Sequence, residues 1–229
     1  MHPASRAVSG NGRGVSLADR LARIQAEINL AANSVGRDPA EITLIAVSKT
    51  RTVEEIQALY DLGIRDFGES RLDEALSKIA TLPPDVRWHF IGALQSNKAR
   101  RTAESFDLIH SVASESALRE IAKVGGDALI ELDLAQESQK SGIGENALDA
   151  MMNVALHYGN VRLRGLMTIG PADVPIETTR GIFRRLHDLS ERHGLPLLSM
   201  GMSADYAVAA QEGATHVRVG TLLFGPRAA

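Results

Sequence analysis

The chain has 229 residues, 44% of them hydrophobic and 23% charged, and 25 basic against 28 acidic side chains leave a net charge of −3. That composition excludes a wholly disordered or collagen-like chain and argues against a binder of nucleic acid or of an anionic membrane. Cysteine is absent, which excludes disulfides, thiolate nucleophiles and cysteine-based metal centres and fits a cytoplasmic protein.

No run of residues approaches the roughly 20 apolar positions of a membrane span. Met1 to Val15 carries Arg6, Arg13, Ser5 and Ser9 among three glycines and has no apolar core. It reads as a flexible tail (residues 1–15), faintly like a transit peptide and unlike a secretory signal. Ser16 then caps a helix with an apolar stripe at Leu17, Leu21, Ile24, Ile28 and Ala31. Asp38-Pro39 breaks it. Ile42 to Val47 is a short apolar run, read as a strand buried on both faces. Thr52 caps the next helix, which ends at Gly63.

The alternation continues to the end of the chain. Strands are predicted at 64–68, 86–91, 108–112, 128–134, 161–169, 197–200 and 216–219. Helices are predicted at 69–82, 94–105, 115–124, 146–158, 178–193 and 204–211. Strands alternating with helices imply a parallel sheet with helices outside. Eight units of near-equal length suggest a single (β/α)8 TIM barrel over residues 16–229, preceded by an N-terminal helix. An open doubly wound sheet has the same periodicity and stays open at this stage.

In a barrel the chemistry sits at the C-terminal ends of the strands. Lys49 follows the apolar run Leu44-Ile45-Ala46-Val47. A lysine there can lose solvent, which lowers its pKa and prepares the amine to form a Schiff base with a carbonyl. The plain alternative is a lysine reaching into water. Gly201-Met202-Ser203 and Gly220-Thr221 follow the seventh and eighth strands, where barrels often hold phosphate. Ser203 either caps the helix expected from Ala204 or donates to a phosphate oxygen. Asp205 suits the helix dipole, competes with an anion, and is expected to point away. Arg218 shares a strand face with Gly220. A charge inside such a strand needs a partner or a site. Lysine, phosphate cradle and interior arginine together suggest pyridoxal phosphate.

These stretches also carry a resemblance. Ala46-Val47-Ser48-Lys49-Thr50, Trp88 to Gly92 with Leu94 to Lys98, Gly165-Leu166-Met167, and Gly201-Met202-Ser203 through Phe224-Gly225 resemble the YggS/PROSC family of pyridoxal phosphate homeostasis proteins. The resemblance spans about residues 16 to 227. It implies an alanine racemase N-terminal domain type of barrel holding one pyridoxal 5'-phosphate. It implies Lys49 as the Schiff-base lysine, Arg218 as the partner of the ring nitrogen, and Ser203, Gly220 and Thr221 at the phosphate. The family usually has Gly-Glu-Asn after the second strand. Here Ser70 stands in place of that asparagine, which puts one cofactor hydrogen bond in doubt.

The family further implies a carrier in intracellular vitamin B6 homeostasis without established catalysis. No residue is assigned as catalytic, and the expected state is a monomer. Apo pyridoxal phosphate enzymes are the expected recipients of the cofactor. Racemising relatives use a second, β-rich domain, which the residues up to Ala229 leave no room for. An arginine on the ring nitrogen also weakens the cofactor as an electron sink. The alternatives are an amino-acid racemase, a Schiff-base aldolase using Lys49, or a purely structural interaction protein.

Other motifs read more plainly. Gly142 to Ala147 matches G-x-G-x-x-A but lacks a strand directly before it and the later acidic residue, so it reads as a loop and cap. The seven histidines show no metal-ligand spacing. His89 reads as a core or rim histidine. Lys98, Arg100 and Arg101 read as a solvated helix face, with a handover surface as the alternative.

Overall fold

The computed structural model describes residues 15–135 and 141–225. The tail expected at 1–15 therefore lies, Val15 apart, outside the described residues. Eight strands are present among those described: β1 (Thr43–Val47), β2 (Asp66–Glu69), β3 (Arg87–Phe90), β4 (Leu108–Val112), β5 (Gly126–Glu131), β6 (Val161–Met167), β7 (Leu197–Ser199) and β8 (His216–Val219). All pair in parallel and in chain order, and β8 returns to β1, so the sheet is closed. The open doubly wound alternative is thereby excluded.

Helices α1 (Leu17–Asn33), α2 (Val53–Asp61), α3 (Leu72–Ile79), α4 (Ser96–Ser105), α5 (Glu115–Ile121), α6 (Leu148–Tyr158), α7 (Ile176–His193), α8 (Tyr206–Gln211) and α9 (Thr221–Phe224) lie outside the sheet. Ser16 and Asp19 form a reciprocal capping box that starts α1, with Ser16 Oγ accepting from Asp19 N at 3.1 Å. Thr52 and Glu55 do the same for α2. Each such cap contributes about 1 kcal/mol by satisfying end donors that helical bonding leaves over. The apolar stripe of α1 buries Leu21, Ile24, Ile28 and Ala31 as the periodicity requires.

Two helix starts differ from the sequence reading. Glu69 was expected to open a helix, but it is the last residue of β2, and α3 begins at Leu72. Its carboxylate is spent on an ion pair rather than on a helix end. The helix expected from Ala204 begins at Tyr206, because residues 202–205 make a turn first. The short α9 carries too few residues to show a period.

The main apolar core lies between the sheet and the helices, with Phe67, Phe183, Ile56 and Leu118 fully buried. Register separates the two faces of the sheet. Ala46 pairs with Phe67 on the helix side, whereas Ile45 pairs with Arg218 and Gly68 with His89 on the inside. Inside the barrel the apolar group is small, built on Leu108, Leu129 and Met167. Asp66, His89, His110, Glu131, Ser199 and Arg218 share that interior and are all buried.

Two arginines fasten the C-terminal turn. Arg20 of α1 donates to the carbonyls of Leu223 (2.6 Å) and Phe224 (3.3 Å). Arg51, beside the Lys49 turn, donates to Gly225 O at 2.5 Å and lies over the Phe224 ring at 5.1 Å.

Candidate functional site

β1 ends at Val47, Ser48 is buried, and Lys49 and Thr50 are exposed. The expected loss of solvent at Lys49 is therefore corrected: the turn lifts the residue clear of the buried strand. Thr50 has φ 63°. That is an uncommon conformation for a β-branched residue, and such positions persist only where neighbours enforce them. Here Glu74 of α3 accepts from Thr50 N at 2.6 Å. Lys78 Nζ donates to Ser48 O (2.9 Å), Glu69 Oε1 (2.7 Å) and Glu74 Oε1 (2.7 Å). Ser48 Oγ donates to Glu69 Oε1 at 2.7 Å. Burial pushes the Glu69 carboxyl up, against the opposing pull of Lys78 and Ser48. This ion cluster sits on the helix side and fixes the backbone on which Lys49 stands.

Ser70 follows β2 at the same rim and is half-buried. Gly92, after β3, makes room for it: a Cβ at 92 would lie 2.3 Å from Ser70 O. Any side chain at 92 would displace the Ser70 backbone.

The two loops expected to hold phosphate come together at this rim. Gly201 has φ +90°, and a Cβ there would meet Ala209 Cβ at 2.5 Å. The residue has to be glycine for the loop to pack on α8. Ser203 is half-buried and does not cap α8, which correction leaves its hydroxyl to the rim. Asp205 is turned back into its own loop, accepting from Met202 N at 2.6 Å. Gly220 starts α9, and a Cβ there would approach Val47 Cβ to 3.3 Å. Thr221 is exposed beside it.

Arg218 lies inside the barrel, 4% exposed. It donates from Nη1 to Ser199 Oγ at 2.5 Å and from Nη2 to Thr168 O at 3.0 Å. Burial lowers its pKa to about 10, with Asp205 and Glu131 acting in the other direction. Two fixed bonds on a planar guanidinium set its orientation. Glu131 also faces the interior. Its Oε1 accepts from Ser141 Oγ at 2.7 Å, and its Oε2 is buried with no hydrogen bond among the described residues. Sequence reasoning missed Glu131, Ser199 and the Thr168 carbonyl. The available signal was strand alternation, since polar residues at inward positions of buried strands need a reason to be there.

The other motifs resolve simply. Gly142 to Ala147 is a loop leading through a 3-10 turn into α6, with Ile143 bridged to Leu132. Lys98, Arg100 and Arg101 pair with Asp73 and Glu104 on the outer face of α4. Among the described residues no group of side chains is arranged to hold a metal ion, and no helix is long and apolar enough to cross a membrane.

The rim thus joins an exposed primary amine, two glycine-bearing loops with hydroxyls, and a buried, oriented arginine. That donor set fits a ligand with an aldehyde, a phosphate and a ring nitrogen. The barrel is of the class defined by the alanine racemase N-terminal domain, whose family model matches residues 20–228. An alanine racemase from Corynebacterium glutamicum shares the fold at 16% identity (TM-score 0.69), with 91% of this chain and 61% of that one covered. Nearer relatives are more specific. The pyridoxal phosphate homeostasis protein of Pseudomonas aeruginosa is 40% identical over 93% of this chain and 96% of its own length. That of Escherichia coli K12 is 36% identical, over 92% and 97%. PipY of Synechococcus elongatus, solved with PLP bound, superposes with TM-score 0.77 at 35% identity, covering 92% of this chain and all of that one. The chain belongs to the family of pyridoxal phosphate homeostasis proteins.

Proposed function

We propose that this protein binds pyridoxal 5'-phosphate at the C-terminal rim and serves its intracellular homeostasis as a carrier rather than as a catalyst. Lys49 is the covalent anchor for the aldehyde. Arg218 turns its remaining N–H donors to the ring nitrogen, Ser203, Gly220 and Thr221 hold the phosphate, and Ser70 lies beside the ring. Apo enzymes that use the same cofactor are the recipients. The observation that carries this reading is the β1–β8 pairing. Ile45 is opposite Arg218, so Lys49 and Gly220 emerge at one rim from adjacent strands.

A racemase needs an acid or base on each face of the substrate adduct. The chain has three tyrosines, and each has its hydroxyl engaged by a partner other than Lys49. Tyr60 donates to Asp85, Tyr158 accepts from Arg119, and Tyr206 donates to Glu27 of α1. That leaves Lys49 without a tyrosine partner across the site and supports a carrier.

Visible absorbance of the purified chain with added pyridoxal phosphate tests the binding. A yellow protein that bleaches with borohydride is expected, and a colourless one would overturn the reading. Incubation with L-alanine in D2O tests the absence of turnover. Deuterium uptake at about one per second or faster, the low end of ordinary enzymes, would make the protein an enzyme.

A further inference from the structure

Below the rim, one hydrogen-bonded chain crosses the inside of the barrel. Arg218 Nη1 donates to Ser199 Oγ, and Ser199 Oγ lies 2.7 Å from His110 Nδ1. His110 Nε2 lies 3.0 Å from His89 Nδ1, and His89 Nε2 lies 3.0 Å from Asp66 Oδ1. Asp66 is held in turn by Arg87, whose Nε donates at 2.7 Å. Asp66 and Arg87 open β2 and β3, at the end of the barrel opposite the rim.

The donors and acceptors allow two arrangements. With both imidazoles neutral, Ser199 donates to His110 Nδ1, His110 Nε2–H donates to His89 Nδ1, and His89 Nε2–H donates to Asp66. Every link then runs from Arg218 toward Asp66. Taking up one proton reverses the middle links. In the protonated arrangement His89 carries a proton on both ring nitrogens, His110 carries its own on Nδ1 and accepts at Nε2, and Ser199 keeps its hydroxyl proton, so the chain as a whole has gained one proton. His89 is then a cation on Asp66, and Ser199 accepts from both His110 and Arg218. The Ser199 proton must find a new acceptor beside Arg218.

We propose that this chain is a reversible relay, through which a proton held by the His89–Asp66 pair at one end of the barrel redirects the Ser199 hydroxyl and so changes the surroundings of Arg218 at the other. Its bearing on the cofactor rests on the reading that Arg218 faces the ring nitrogen. The groups facing His89 are Asp66 on β2, Arg87 on its own strand, His110 on β4 and His216 on β8, with ring centroids 5.1 Å and 5.9 Å away for the two histidines. Glu131 on β5 and Arg218 on β8 are further buried charged groups of the interior. Burial, with the repulsion of its neighbours, holds His110 well below the ordinary histidine range, and of the two rings only His89 has a carboxylate against it, Asp66 Oδ1 at 3.0 Å from Nε2.

Imidazole and guanidinium 15N NMR of the full chain, without cofactor, tests the relay as a function of pH. At about pH 7.5 both His89 and His110 should be neutral Nε2–H tautomers. On acidification His110 should change to Nδ1–H as His89 titrates, and the Arg218 Nε–H resonance should move with the same midpoint. Asp66→Asn should lower that midpoint by about one unit or more, since it removes the adjacent counter-charge. Arg87→Gln, at a largely exposed side chain, should raise it by about a few tenths of a unit. A His110 tautomer that stays fixed while His89 titrates would overturn the relay, as would an Arg218 resonance indifferent to that midpoint. In the loaded protein the visible band should show a step at the same pH, and an invariant band would overturn the coupling to the site. A protein that stays colourless would refute the cofactor reading and leave the NMR result standing.

Discussion

The Lys49 turn and the Arg218 seat belong to adjacent paired strands, yet opposite means hold them. The turn rests on full charges placed outside the sheet, where Lys78 meets Glu69 and Glu74. The arginine rests inside the barrel on neutral partners, Ser199, the Thr168 carbonyl and, behind them, two histidines. A buried ion pair tolerates poorly the loss of one partner, because the other charge is left without compensation. A hydrogen-bonded chain that runs through histidines is, in addition, sensitive to added protons. The two halves of the site should therefore fail under different insults.

Lys49→Ala should remove the proposed anchor and leave its turn in place, since among the described residues the side chain of Lys49 makes none of the bonds that hold the turn. Borohydride reduction with peptide mapping should place the pyridoxyl label on Lys49 in the parent and find none in the variant. A label mainly on Lys98 would move the anchor. Lys78→Ala should destabilise the fold by about 3–5 kcal/mol, because Glu69 is left buried and unpaired. Replacing both partners, Lys78→Met with Glu69→Gln, should cost clearly less. Urea unfolding of the three proteins decides, and a harmless Lys78→Ala would mean that the charged cluster does not hold the turn.

Acid should attack the other half first. Burial, with the nearby His89, lowers the His216 pKa to about 4 from the ordinary 6.5. The unfolded chain therefore binds a proton between those values that the folded chain refuses. Stability is lost as pH falls through that window, by about 3 kcal/mol from this group. For Asp66 burial acts upward, but hydrogen bonds from His89 and Arg87 outweigh it and bring the pKa to about 2. Its contribution of about 2 kcal/mol is present above pH 4 and disappears only as pH falls from there toward 2. Urea midpoints should therefore drop between about pH 6.5 and 4 in the parent and drop less in His216→Gln. Identical slopes would place the acid-sensitive group elsewhere.

Smaller effects concern the loops. Ser203→Ala and Thr221→Val should each weaken cofactor binding about 10- to 100-fold, the roughly 1.5–3 kcal/mol of one bond to a charged oxygen, without shifting the unfolding midpoint. Titration by absorbance checks this, and unchanged affinity in both variants would move the phosphate. Smallest is Ser70→Asn, which restores the family's usual residue and should tighten binding only about severalfold.

The fold was legible because eight β/α units repeat with near-equal length, which favours closure, though it is the β8–β1 pairing that excludes the open sheet. Lys49, Gly201, Gly220 and Arg218 were legible because each stands at or inside a strand end. Less visible were the supports. Lys78 stands nine residues beyond Glu69 in another element, and nothing local links them to Ser48. The reading that Glu69 opens a helix failed because a glutamate before a helical pattern looks like a first-turn acid, while tertiary pairing kept it in β2. His110, Ser199 and Asp66 each look ordinary alone. Alternation marks them as inward polar residues, but only closure of the barrel stacks them into contact.

The two arginine clasps on the C-terminal turn set the order in which the molecule can be finished. Arg20 waits for a carbonyl 203 residues downstream, and Arg51 for one 174 residues downstream. Contacts of such separation form only after nearly the whole chain has left the ribosome, since synthesis runs from the N-terminus and loop closure precedes any gain from contact. The last strand brings Arg218, Gly220 and Thr221 at the same moment. A growing chain thus displays Lys49 early and the loop after β8 late, so the proposed anchor and the proposed phosphate loop should meet only once β8 has docked on β1.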